Sequence, residues 1–324
     1  MHRRRLWLAL ASAGVVATVL TATFLLLPSN KAGTVEAAKI TTAPPTTAPP
    51  TTPPPTTSPS SSVPPTPSPA APVTLTEDEQ AKLAAAVKAS VLAASPRTTL
   101  DFVVYDRETG EDLASINGDA PLYTASVVKL LIAIDAYRDS GWITPDADTV
   151  KDLTTMLSGS NDGIASAYWV DDGGTAIIKR MVSLIGLDHT IAPTDPGEWG
   201  MTKMSANDVI AVYQFIDEQM PDDASATIMN ALAAAKNPAD DGFPQYFGIP
   251  DAFTGTQWGV KQGWMELKTS LVLNTTGVVG SDSRYVIALL TQQPVTVGWT
   301  KGRAAVTAGM TAAAAALKNV LSPS

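Results

Sequence analysis

The sequence predicts an α+β domain: an antiparallel sheet with strands from both ends of the domain, and a helical block between them. β-branched runs bounded by turn residues occur early, at Thr99–Tyr105 and Asp112–Ile116, and again late, at Gln257–Gly263, Thr269–Thr276 and Arg284–Leu290. Between these groups the apolar spacing is helical. A helical pattern also stands before the first strand and after the last, so helices are available to flank the sheet.

Thr76-Glu-Asp-Glu opens the first helix with acidic first-turn residues, and its apolar positions continue to about Leu92. Asp106-Arg-Glu-Thr-Gly110 reads as the turn joining the first two strands into a hairpin. Val127–Tyr137, Asp148–Leu157, Gly163–Trp169, Thr175–Ile185, Ser205–Glu218 and Ala224–Ala234 supply the helical middle, several of them opening with Ser, Thr or Asp. An alanine-rich helix over Ala304–Leu317 closes the chain.

The front of the 324-residue chain has a different character. Met1 to Arg5 is basic and Leu6 to Leu27 is apolar without a charge, long enough as a helix to span about 30 Å of hydrocarbon. Residues 1–28 therefore read as a membrane anchor or export signal, with everything after Pro28 outside the cytoplasm. The run exceeds an ordinary signal-peptide core, which favours an uncleaved anchor. Residues 29–73 become almost entirely Pro, Thr, Ser and Ala from Thr41 onward, a spacer or stalk with nothing to bury. The globular domain is expected over 74–324.

Residues 1–73 hold five Lys or Arg against Glu36 alone, so the chain's net charge of −9 leaves about −13 on the remainder. An acidic surface argues against nucleic acid as a partner. The chain has no cysteine, so neither a cysteine-linked lipid nor a disulfide can hold it. With so few His and no Cys, no metal and no cofactor is expected, and a Ser/His/Asp triad would rest on His189 alone. The domain is expected to be monomeric.

Ser126-Val-Val-Lys129 is an SxxK tetrad. Residues three apart share a helix face, so the Lys129 amine could take a proton from the Ser126 hydroxyl. Such a tetrad arises by chance about once in a chain of this size. Its company is more specific: Ser160-Asn161-Asp162 and then Lys261-Gln262-Gly263 follow in order. With these three motifs the chain resembles the penicillin-recognising serine hydrolases, most closely their class A β-lactamase-like branch, over Thr74 to Ser324.

The resemblance implies the β-lactamase/transpeptidase-like fold, with a five-stranded antiparallel sheet, a helical sub-domain and the site between them. It implies Ser126 as the acylated nucleophile, Lys129 as its activating partner, Ser160 as proton donor to the leaving nitrogen, and Lys261 as the cation that stabilises that serine and draws in an anionic substrate carboxylate. It places Asp162, Gln262, Gly263 and Trp264 against substrate, with the backbone amides of Ser126 and Trp264 as oxyanion donors. The implied substrate is a β-lactam or a D-Ala-D-Ala-like peptide of the cell wall.

Three departures are visible. Asp162 stands where the family has Asn, and a carboxylate near Lys129 favours its charged form. Gln262 replaces a hydroxyl residue with an amide. The family's loop Glu is absent, leaving Asp195 and Glu198 as carboxylates that either position a hydrolytic water or simply belong to the turn around Pro196-Gly197. The Ser126 to Ser160 interval is short, so the wall near Trp142 is expected to be reduced and the site open. A catalytically silent domain that binds wall peptides or an envelope partner is the alternative these departures suggest.

Overall fold

A computed structural model describes residues 74–321 apart from 144 and 281; the expected anchor and the Pro/Thr/Ser-rich spacer lie outside the described residues. Among the described residues, no helix is long and apolar enough to cross a membrane. In chain order the elements are α1 (Glu77–Ala94), β1 (Thr99–Asp106), β2 (Glu111–Ile116), β3 (Leu122–Tyr123), α2 (Lys129–Asp139), α3 (Ala147–Ser158), α4 (Asp162–Asp171), α5 (Thr175–Ile185), β4 (Lys203–Met204), α6 (Ala206–Glu218), α7 (Asp222–Ala233), α8 (Ile249–Ala252), β5 (Trp258–Glu266), β6 (Ser270–Val279), β7 (Tyr285–Pro294) and α9 (Gly298–Leu321).

Five strands form one antiparallel sheet in the order β2-β1-β7-β6-β5, as the two groups of β-rich segments imply. The turn after β1 is tied by Gly110 N donating to Asp106 O, and Arg284 grips the Asp106 carboxylate with two hydrogen bonds. β6 is buried along its whole length, because both faces of the sheet are covered. Alternation along β1 and β7 divides the core. Phe102, Val104, Ile287 and Leu289 face α1 and α9, whereas Val103, Val286, Ala288 and Leu290 face the helical block.

α1 starts as its sequence implies, with Thr76 and Glu79 forming a reciprocal capping box. α9 begins six residues before the expected Ala304, since Gly298-Trp-Thr-Lys-Gly-Arg has no apolar periodicity. In the helical block, α2 is buried from Lys129 to Tyr137. The two-residue ladder of β3 and β4, too short for any pattern to reveal, fastens the segment before Ser126 to the loop before α6.

Candidate active site

Ser126 does not lie on a regular helix. It sits in a single 3-10 turn, Ala125–Val128, that runs directly into α2 at Lys129. Ala125 has a left-handed φ of 45°, an unfavourable backbone state for alanine that surrounding contacts must hold. Those contacts are present: Thr124 N and Oγ1 both donate to Thr202 O, and Asn274 on β6 donates its side-chain amide to Tyr123 O and Thr124 O. The strand β5 then abuts the turn at Gly263, where an added Cβ would lie 2.4 Å from Thr124 O. Only glycine permits that approach, which brings Trp264 beside Ser126 on the same 350 Å³ cavity.

Ser160 lies between α3 and α4 and also has a left-handed backbone, φ 55°. Its loop is held from the far side. Lys236 N and the Gln245 side-chain amide donate to Ser158 O, and Asp240 N donates to Gly159 O. Asn161 caps α4 by accepting from Ile164 N, and donates its own amide to Asp240.

Two lysines converge here. Lys129 Nζ donates to Ser126 Oγ at 3.0 Å, to Ser160 O at 2.6 Å, to Ser160 Oγ at 3.3 Å and to Asp162 Oδ1 at 2.6 Å. Lys261 Nζ donates to Ser160 Oγ at 2.9 Å. Both lysines are fully buried. Burial pushes the Lys129 pKa down against the opposing pull of the Asp162 carboxylate. The effect of Asp162 thus has the expected sign, but burial outweighs it. Lys261 is driven well below the ordinary lysine range by burial and then by the nearby Lys129. A buried hydroxyl between two amines of weakened basicity can exchange protons with either.

The geometry therefore gathers Ser126, Lys129, Ser160 and Lys261, with Asp162, Gly263 and Trp264 around them. It does not bring Gln262 to the cavity. That side chain projects to the other side of β5, where it is buried and its amide nitrogen donates to Gln245 O and Phe247 O, so the position expected to touch substrate is spent on internal carbonyls. The two loop carboxylates also part company: Glu198 lines the cavity, whereas Asp195 accepts from Gly197 N in its own turn and faces a neighbouring hollow. Trp142 packs against Phe215 and does not line the cavity, consistent with a reduced wall there. His189 faces Asp119 at 3.5 Å and does not line the cavity.

The wall that the sequence did not reveal is Trp199. Its ring lies 4.8 Å from Lys129 Nζ, and its indole nitrogen donates to Ser166 on α4. Opposite it, Trp264 stacks on Phe243 at 4.7 Å and donates its indole N–H to Asp241. Adjacency to Glu198 was the one sequence signal for Trp199; nothing local marked Asp241 or Gln245.

Residues 82–142, which contain the SxxK turn, match the model of the β-lactamase enzyme family. The mycobacterial proteins named "Putative lipoprotein LppW", from Mycobacterium bovis and Mycobacterium tuberculosis, are 37% identical over 208 residues, covering 62% of this chain and 66% of theirs. The chain thus spans slightly less than two thirds of those relatives. Among solved structures, a class A β-lactamase from Bacteroides cellulosilyticus superposes with a TM-score of 0.58 at 15% identity, covering 74% of this chain and 99% of that one. PBP-A superposes with a TM-score of 0.59 at 16% identity, covering 77% and 99%. These superpositions show a β-lactamase-like fold, and the SxxK segment of the chain matches the β-lactamase enzyme family model.

Proposed function

We propose that this protein is an acyl-serine hydrolase that opens an amide or related acyl bond through a covalent intermediate on Ser126. The observation that carries the reading is the buried Ser126–Lys129–Ser160–Lys261 network, with Ser126 Oγ 3.0 Å from the Lys129 amine. With Lys129 neutral, its lone pair takes the Ser126 proton as Oγ bonds to the carbonyl carbon. The backbone amides of Ser126 and Trp264 face the developing oxyanion. As the intermediate collapses, the bond from carbon to the leaving nitrogen breaks, Ser160 gives its proton to that nitrogen, and Lys129 passes to Ser160 the proton it took from Ser126. Water then attacks the ester, releasing the acid and restoring the Ser126 hydroxyl, with Glu198 on the cavity wall as the candidate to orient it.

The family's substrates, β-lactams and D-Ala-D-Ala-like wall peptides, are the starting class. The basic start and apolar run of the sequence support action outside the cytoplasm from a membrane anchor, in accord with the lipoprotein name of the mycobacterial relatives. A second reading, a silent domain that only binds wall peptides or an envelope partner, draws on the 2.6 Å Lys129–Asp162 ion pair, which favours the ammonium. Intact-mass measurement after incubation with benzylpenicillin and with a nitrophenyl ester separates the two. An adduct on the wild type and none on Ser126→Ala is the expected result; no adduct from either reagent supports the silent domain.

A further inference from the structure

We infer that Trp199 is a water shield over Lys129: it keeps solvent from the amine once Ser126 is acylated, so the residue that drives ester formation takes no part in ester hydrolysis. The inference rests on the acyl-serine reading and assigns the lifetime of its intermediate to one side chain. Lys129 Nζ lies 3.0 Å from Ser126 Oγ, where an amine could take a proton from a water attacking the ester. Water has no route to it. Lys129 is fully buried and is absent from the lining of the 350 Å³ cavity, where Ser126, Asp162 and Trp199 stand. Its bonds go to Ser126 Oγ, to the carbonyl and hydroxyl of Ser160 and to Asp162 Oδ1, four acceptors for the three protons of an ammonium. The Trp199 ring, on the cavity wall, lies 4.8 Å from the same nitrogen.

The ring is held in place. Its indole N–H donates to Ser166 Oγ on α4 at 3.1 Å, and its backbone carbonyl accepts from Thr202 N and Oγ1. Thr202 O in turn accepts both donors of Thr124, beside the nucleophile turn. Shield and nucleophile therefore share one support, and the attacking water is left with the exposed carboxylates of the cavity wall. Removing the ring opens a second course. With Ala at position 199, water reaches the neutral amine and its oxygen bonds to the ester carbon as Lys129 takes its proton. That proton passes to Ser126 Oγ as the bond from carbon to Oγ breaks. The same water restores part of the hydration that burial denies the ammonium, so the Lys129 pKa rises in the variant.

Single-turnover release of a nitrophenol from its ester gives the acylation rate, and decay of the adduct by intact mass gives the hydrolysis rate. Both would be followed against pH for the wild type, Trp199→Ala and Ser166→Ala, the last of which keeps the ring and frees its indole. Trp199→Ala is expected to hydrolyse the ester about tenfold faster, below the roughly 10²–10⁴ of a built base. Its acylation midpoint should move to higher pH, and its ester hydrolysis should acquire that same midpoint. Ser166→Ala should hydrolyse about twofold faster, the size of one exposed hydrogen bond. Hydrolysis no faster in either variant, or an acylation midpoint that falls in Trp199→Ala, would overturn the shield while leaving the acyl-serine reading intact. So would faster hydrolysis without the midpoint of the amine, which is what a general loosening of the cavity produces. A wild type that forms no adduct would overturn both.

Discussion

The two sides of the cavity are built to different standards. On one side Ser126, Lys129, Ser160 and Lys261 are buried, and each is fixed by backbone that the fold holds in place, including two left-handed residues, Ala125 and Ser160. On the other side Glu198 and Asp162 are exposed, with the Asp162 side chain 65% accessible, and Asp195 is committed to its own turn. Forming an acyl-enzyme needs preorganised groups in low dielectric, and the first side provides them. Releasing it needs a held base and water, and the second side offers one exposed carboxylate. On the proposed acyl-serine reading, the contrast predicts that the ester forms faster than it is cleaved.

Removing the amine should break the better-built side most severely. Lys129→Met keeps the buried stem and is expected to lower the acylation rate by on the order of 10²–10⁴, measured by single-turnover release of a nitrophenol, with deacylation of any ester formed affected less. On the weaker side, Glu198→Gln should slow ester hydrolysis by about tenfold, below the usual effect of a well-held base because the side chain is exposed. Acylation by the same substrate should change little. Equal losses in both steps would remove Glu198 from the water-positioning role.

Asp162→Asn tests the electrostatic link between the sides. The carboxylate raises the Lys129 pKa against burial, so its removal should lower that pKa further and leave more amine neutral at pH 7. The acid limb of the acylation profile is expected to move to lower pH; a shift to higher pH would contradict the assignment of Lys129 as base.

The smallest effect lies away from the chemistry. Asp101 on β1 accepts from Ala206 N at the start of α6, and its pKa is raised from 3.8 to about 7, chiefly by burial and then by the charges of Asp119 and Asp208. In that window the folded form keeps a proton that the unfolded chain releases, so its contribution to stability falls as pH rises from about 4 to about 7. Asp101→Asn, with no proton to lose, should flatten the decline of Tm over this range.

Much of the fold and the well-built side was legible because both depend on short-range pattern. Period-2 and helical spacing gave the five strands and most helices, and fixed motifs identified Ser126, Lys129, Ser160 and Lys261. What failed was direction and distant contact. Gln262 follows Lys261 in the motif, but the carbonyls of Gln245 and Phe247 draw its amide behind the strand. Trp199, which forms the wall, belongs to a loop whose path is set by Trp169 donating to Pro196 O and by the pairing of Ile191 with Lys203. No local pattern encodes either contact.

The central claim, a Ser126 nucleophile on a site that acylates faster than it deacylates, is tested most directly by rapid mixing with excess nitrophenyl ester. The expected trace is a burst of nitrophenol of about one equivalent per protein followed by a slower steady rate, with the burst absent in Ser126→Ala. A linear trace from the wild type, or a burst that survives in Ser126→Ala, would contradict it.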